Sequence, residues 1–365
     1  MAKVDENYKS FRKSLASAFS TEALKRGYPD ILAKIKQLAL KIGSLSADGS
    51  SIDIQDLALK CAFDCISHFA YGLDFDATKN GSHPLLEAII STTADSRAGS
   101  FKPFWKLYKK LSPFSAVAQH SKRMHDLLYS EYDKIMDVID LYGAPPAEDD
   151  RYIRAQLMRL RNPLNKNKRA TRVETYCEMA THYKPPAELT WVLLCLSTHL
   201  DVQDRLYNEL TEHGLAGVGA KDPEYSILGN LTHLNRALKQ GLRLVPAAPG
   251  GSARVSQTDL DVFGYRVPKG TTLIAQRGTL NRCPWVWENG DVYDPDRWAP
   301  KSRGVYGATT EGEGKIWTFG HGARSCVGQR LAMMQLQMSL VVLLSKFRFT
   351  LDPRMGGFQT QAVRG

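Results

Sequence analysis

One stretch of ten residues constrains this chain more than any other: Phe319-Gly320-His321-Gly322-Ala323-Arg324-Ser325-Cys326-Val327-Gly328. It sets a cysteine between closely spaced glycines, two residues after an arginine and directly before an amphipathic run. A thiolate stays ionised beside positive charge or N–H donors. Arg324 offers the charge. Gly322 and Gly328 permit positive φ and close backbone approach, so amide N–H groups can point at the sulfur. Behind the loop, Leu331, Met334, Met338, Val341 and Val342 recur at spacings of three, four and seven, the pattern of one helix face. Cys326 is therefore expected just ahead of a helix N-terminus, where the macrodipole also favours a negative sulfur. Phe319 supplies an aromatic wall beside it. Such a loop is suited to holding a thiolate against something flat, large and anionic.

The rest of the chain has material for a sizeable core, with 43% hydrophobic residues in 365. A net charge of +10 admits an acidic partner, whether a redox protein, nucleic acid or lipid, or serves solubility alone. The six cysteines are Cys61, Cys65, Cys177, Cys195, Cys283 and Cys326; none forms a CxxC pair. That spacing argues against a zinc site or a disulfide framework, and five of them read as small core residues. The first residues, Met1-Ala2-Lys3-Val4-Asp5-Glu6, lack the apolar segment of a signal peptide. The longest apolar run, Trp191 to Leu196, is far too short to span a bilayer.

Helical periodicity is expected over residues 8–45, over 52–71 with Ile54, Leu57, Cys61 and Cys65 on one face, and in the latter part of 101–142. It returns over 187–211 and 228–246. Residues 151–172 carry eight Lys/Arg and no acid, and read as a solvated connector. Short strands are expected near Val255, over 260–263, 265–267 and 272–274, forming one small sheet with turns at Gly264 and Pro268-Lys269-Gly270. Residues 299–314 are a glycine-rich loop. The expected architecture is mainly α with one small β-rich patch, in a single domain over residues 1–365.

The pattern FxxGxRxCxG resembles the heme-binding signature of the cytochrome P450 family, with every fixed position present. Other segments resemble the family in the same order. Tyr293-Asp294-Pro295-Asp296-Arg297-Trp298 is similar to its aromatic-x-Pro-Glu-Arg-aromatic segment, and Pro268-Lys269-Gly270-Thr271 to its PxG turn. Gln240-Gly241-Leu242-Arg243 stands where the family has ExxR. The resemblance implies a P450-like helical fold, heme b (iron protoporphyrin IX) as cofactor and Cys326 as its metal ligand. It implies that Arg243 and Arg297 brace the cysteine loop. It implies that Tyr8 and Arg12, matching WxxxR, together with Arg254 and Arg324, meet the heme propionates, while Phe319, Gly322 and Gly328 shape the cofactor loop. Arginine suits that work because its fork grips a carboxylate bidentately.

Three departures bear on function. Gln240 replaces the glutamate, so two buried arginines lose their offsetting charge. The family's acid–alcohol pair for proton delivery aligns with Tyr183 and Lys184, followed by Pro185 and Pro186, which leaves Thr181, His182 and Lys184 as candidate distal residues. Aligned to the family, the chain begins near its third major helix, without the preceding helices and strands, and the strands after Phe358 are short. A longer parent could carry a membrane anchor. The leading expectation is a heme-thiolate monooxygenase acting on an apolar small molecule, with electrons from an acidic redox partner (reductase or ferredoxin) and no nucleic-acid partner. The alternatives are a heme-thiolate peroxygenase or isomerase that needs no dioxygen, to which Lys184-Pro185 points, and a non-catalytic heme-binding relic.

Overall fold

The computed structural model describes Arg12 and residues 19–99, 115–142, 188–251, 253–299 and 316–355. Tyr8, Thr181, His182, Lys184, Cys177, the basic run 151–172 and residues 300–314 of the glycine-rich loop lie outside these. The chain divides into two units, Thr21–Pro185 and Met1–Ser20 with Pro186–Gly365. No described helix is long and apolar enough to cross a membrane.

The first unit is helical: α1 (Thr21–Leu45), α2 (Ile54–Tyr71), the single turn α3 (Ala77–Asn80), α4 (Pro84–Gly99) and α5 (Ala116–Tyr142). Helix α2 starts where expected because Asp53 caps it, its carboxylate accepting from the N–H groups of Gln55 at 2.9 Å and Asp56 at 3.1 Å. It stops at Gly72, whose φ of 66° is left-handed. Helices α1 and α2 bury Ile31, Ile35, Leu38 and Ile42 against Leu57, Cys61 and Cys65. They approach so closely that a Cβ on Gly27 would sit 2.5 Å from the Phe69 ring. The carboxylate of Asp64, wholly buried, accepts from the N–H groups of Ala77 and Thr78 and thereby caps α3.

Lys34 is the costly residue of this unit, buried in α1 and 5% exposed. Its ammonium donates to Asp74, and to Asp76 at 2.9 Å. Burial pushes its pKa down, but the two carboxylates more than offset this and hold it above the ordinary lysine value. Asp76 is held below the carboxylate range, chiefly by its hydrogen bond from Lys34.

In the second unit, α6 (Glu188–Ser197), α7 (Leu200–Glu212), α8 (Thr232–Leu244) and α10 (Gln329–Leu344) pack around Leu193, Leu196, Leu206, Leu210, Leu238, Met338 and Leu340. Between α8 and α10 comes the short α9 (Arg277–Leu280). The single helix expected over 187–211 is broken at Thr198-His199. Thr198 Oγ1 bonds the Cys195 carbonyl at 3.0 Å and His199 Nδ1 meets the same oxygen at 2.8 Å, so side chains take acceptors the helix would use. The strands fall close to where they were expected: β1 (Ala253–Val255), β2 (Leu260–Val262), β3 (Tyr265–Val267) and β4 (Thr272–Ile274). They form two antiparallel pairs, β1 with β4 and β2 with β3, rather than one sheet.

Helix α8 carries the brace. Glu209 fixes its N-terminus by accepting from Thr232 Oγ1 at 3.2 Å and the N–H groups of His233 at 2.7 Å and Leu234 at 2.9 Å. Gly241 lets α8 touch α6, since a Cβ there would lie 2.7 Å from Val192 Cγ2. Gln240 and Arg243 are wholly buried. Arg243 donates from Nη1 to the carbonyls of Asn281 and Gly290, both at 2.6 Å, and from Nη2 to that of Val292 at 3.2 Å. Gln240 Oε1 accepts from Arg243 Nε and Trp298 Nε1, both at 3.1 Å, and its amide donates to Val292 O at 2.9 Å. Arg297 donates to the carbonyls of Glu288 at 2.8 Å and Asn289 at 3.1 Å. With no carboxylate in the glutamate's place, burial, then the charges of Arg297 and Arg282, push the Arg243 pKa down to about 9.

Two outcomes are expected. Lys34→Met lowers stability by about 1–3 kcal/mol at neutral pH, less than for a fully buried pair because both aspartates reach solvent. Asp76 contributes above the ordinary carboxylate range and loses that contribution as pH falls through its depressed pKa; Lys34 loses its own as pH rises through its raised one. The gap between parent and K34M in denaturant unfolding therefore narrows at both extremes. Gln240→Leu removes the acceptor of two buried donors at nearly constant volume and costs about 2–5 kcal/mol by the same measurement.

Candidate active site

The cysteine loop is entered from a strap tied to α8 and α9. The Trp317 N–H donates to Asn281 Oδ1 at 3.1 Å, and Asn281 Nδ2 donates to Thr318 Oγ1 at 3.3 Å. Thr318 Oγ1 in turn donates to the Leu242 carbonyl at 2.6 Å. The chain then turns through two left-handed glycines, Gly320 at φ 70° and Gly322 at φ 71°. Residues Gly322–Arg324 form one 3-10 turn, and the Cys326 N–H closes the loop on the Phe319 carbonyl at 2.8 Å. Gly328 has φ −85°, so positive φ was the wrong reason to expect a glycine there. It stands as the N-cap of α10, with its backbone N–H directed at the Cys326 sulfur and the Phe19 ring beside it, 3.8 Å from where a Cβ would be. The five apolar residues that marked the helix face are all buried on α10.

Cys326 is a free thiol and is exposed, whereas Cys61, Cys65 and Cys195 are buried as small core residues and Cys283 is partly so. Although the residue reaches solvent, its sulfur is crowded by protein on several sides. That desolvation is the largest influence on the thiol and raises its pKa; the Gly328 N–H lowers it, the Glu188 carboxylate raises it, and Arg12 and Arg277 lower it. Arg12 lies on the loop itself, donating from Nη1 to Ser325 O at 2.8 Å and from Nη2 to Ser325 Oγ at 3.0 Å. Arg324 is half-buried in the 3-10 turn, and Phe319 is half-buried at the loop's mouth. Arg254, on β1, is exposed and donates to the Ala253 carbonyl at 3.0 Å.

Two residues here were not singled out from the sequence. Arg277, the first residue of α9, donates to Thr318 O at 3.3 Å, and its pKa is lowered by burial, then by Arg254, while Cys326 raises it. Glu188 opens α6 with a carboxylate that accepts from its own N–H and that of Ala247; burial raises its pKa. Nothing local distinguishes either from a surface charge, since each acquires its role from a segment dozens of residues away.

The arrangement fits a heme. A solvent-reaching cysteine with an N–H donor and cations around its sulfur suits a thiolate ligand. Among the described residues no carboxylate pairs with Arg254 or Arg277, so the carboxylate edge of a porphyrin would find guanidinium groups without a described acid competing for them.

Comparison with known proteins agrees. The sequence profile of the family Cytochrome P450 matches residues 1–359. Cytochrome P450 monooxygenase mpsF of Macrophomina phaseolina is 28% identical over 318 residues, 85% of this chain and 73% of its own length. Cytochrome P450 3A6 of Oryctolagus cuniculus is 25% identical over 365 residues, 95% of this chain and 69% of its own. In fold, the crystal structure of the cytochrome P450DA heme domain matches with a TM-score of 0.77 at 20% identity, over 95% of this chain and 72% of that one. A profile match over nearly the whole length, joined to a cysteine loop strapped to α8 and α9, means that this chain belongs to the cytochrome P450 family of monooxygenases, a family that implies heme and iron.

Proposed function

We propose that this protein is a heme-thiolate monooxygenase, with Cys326 as the axial ligand of heme b. The carrying observation is the exposed, free Cys326 sulfur with the Gly328 N–H on it and Arg12 and Arg277 in charge range. A heme held by a thiolate, when bound, supplies dioxygen activation and transfer of one oxygen atom into a substrate C–H bond. The chain's own residues provide the surroundings. The Gly328 N–H and the start of α10 favour the anionic sulfur against the burial that raises its pKa, and an iron ion bound there would complete its deprotonation. Arg12, Arg254 and Arg324 would orient a bound porphyrin through its carboxylates, Arg12 while also holding Ser325. Phe319 walls one side. Glu188, at the head of α6, acts on the sulfur from the acidic side and raises its thiol pKa. The substrate class is an apolar small molecule and the electron donor an acidic redox protein, a reading supported by the net charge of +10 and by the monooxygenase name of the fungal relative.

The test is optical. The reduced carbon-monoxide adduct should show the red-shifted Soret band of thiolate ligation, and Cys326→Ala should abolish it completely. Because Cys326 is exposed, C326A should change the unfolding free energy of the protein without cofactor by less than about 0.5 kcal/mol, so the loss cannot be ascribed to unfolding. An unshifted adduct in folded parent protein would overturn thiolate ligation.

A further inference from the structure

Helix α9 is a single turn, yet it holds the cysteine loop with two side chains placed four residues apart. Asn281, its C-cap, grips the strap at Trp317 and Thr318. Arg277, its first residue, lies one turn earlier and grips the Thr318 carbonyl from Nη1 at 3.3 Å. The turn itself is fixed, because the Gly278 N–H donates to Pro249 O at 3.0 Å and a Cβ on Gly278 would come within 3.1 Å of the Pro249 ring. The other guanidinium arm lies over the first left-handed glycine, with Nη2 3.5 Å from where a Cβ of Gly320 would be. A side chain at 320 would therefore crowd the guanidinium as well as strain the backbone.

Arg277 is only half-buried, and no carboxylate among the described residues neutralises it. Its charge is repelled by Arg254 and attracted by the Cys326 sulfur, the one anion-forming group acting on it among the described residues. A residue needed only to tie a carbonyl could be neutral, as Asn281 is. A guanidinium desolvated next to another arginine costs free energy unless an anion answers it.

From this geometry, and resting on the heme-thiolate reading above, we infer that Arg277 is a positioning residue for the thiolate: it clamps the entrance of the cysteine loop and places a fixed positive charge beside the sulfur–iron centre. Arg12 does the same from the loop's far end at Ser325, so the loop is held between two cations brought together from positions 12 and 277. A fixed cation near the iron favours the reduced state, which carries one positive charge fewer. Removing it should therefore make the ferric–ferrous midpoint potential more negative.

The experiment compares purified heme-loaded parent, Arg277→Met and Arg277→Lys by spectroelectrochemical titration, alongside the carbon-monoxide spectrum. R277M should have a more negative midpoint and a larger share of unshifted adduct, and R277K should return both close to the parent. If R277M keeps the parent's potential, or R277K moves as far as R277M, the charge has no such role and the inference is overturned. Arg277→Gln is the second neutral variant should methionine at a half-buried position prevent folding, and its potential decides in the same way. Failure of the underlying reading looks different: the parent itself then lacks the red-shifted adduct, whereas a normal parent adduct with unmoved potentials sinks this inference alone.

Discussion

Arg243 is a wholly buried guanidinium whose hydrogen bonds run to backbone carbonyls at Asn281, Gly290 and Val292. Those three carbonyls belong to the stretch that also carries α9 and the Asn281 side chain, and Asn281 holds the strap into the cysteine loop. The position of the sulfur thus descends from one buried charge. The order runs from the α8 cap at Glu209, to the close Gly241 contact with α6, to Arg243, to Asn281, to Thr318, and finally to Cys326. The links from Arg243 to Asn281 and from Asn281 to Thr318 are hydrogen bonds between segments far apart in sequence, so loosening Arg243 should be felt at the loop.

Gln240 is more than a glutamate that has lost its charge. Its oxygen serves Arg243 and Trp298, and its amide donates to Val292 O, which a carboxylate could not do. The amide therefore satisfies three polar groups in a buried site, without bringing the glutamate's charge to Arg243. Backbone carbonyl dipoles carry that burden instead, and the depressed pKa of Arg243 is its trace. Whether a brace of this kind holds heme as firmly as one with glutamate turns on how well those dipoles substitute for a charge.

Much of the fold was legible beforehand because periodicity and caps are local. The apolar rows of α2 and α10, the Gly264 and Gly270 turns and four short strands all follow from neighbours within a few residues. What was not legible depended on competition or on distance. The break between α6 and α7 arises from Thr198 and His199 taking helix carbonyls, a choice that strong apolar periodicity concealed. The strands could be found but not paired, since nothing in three-residue segments dictates whether they join in one sheet or two. Gly328 was expected to combine positive φ with an N–H aimed at the sulfur; its φ is −85°, and its N–H is directed at Cys326 all the same. Arg12 also holds Ser325, a contact that the sequence did not suggest.

The sequence by itself determined that Cys326 lies in a glycine-rich loop ahead of a helix, with arginines in the order of one family, because a ligand loop and the helix behind it are contiguous in the chain. Only the tertiary structure decided which charges surround the sulfur. Arg277 and Glu188 look like any surface arginine and glutamate in one dimension. They become part of the site because α9 is docked on Pro249 and because α6 begins at Glu188 beside Ala247. Electrostatic neighbourhood is a property of distance through space, and the spacing of letters along a chain does not record it.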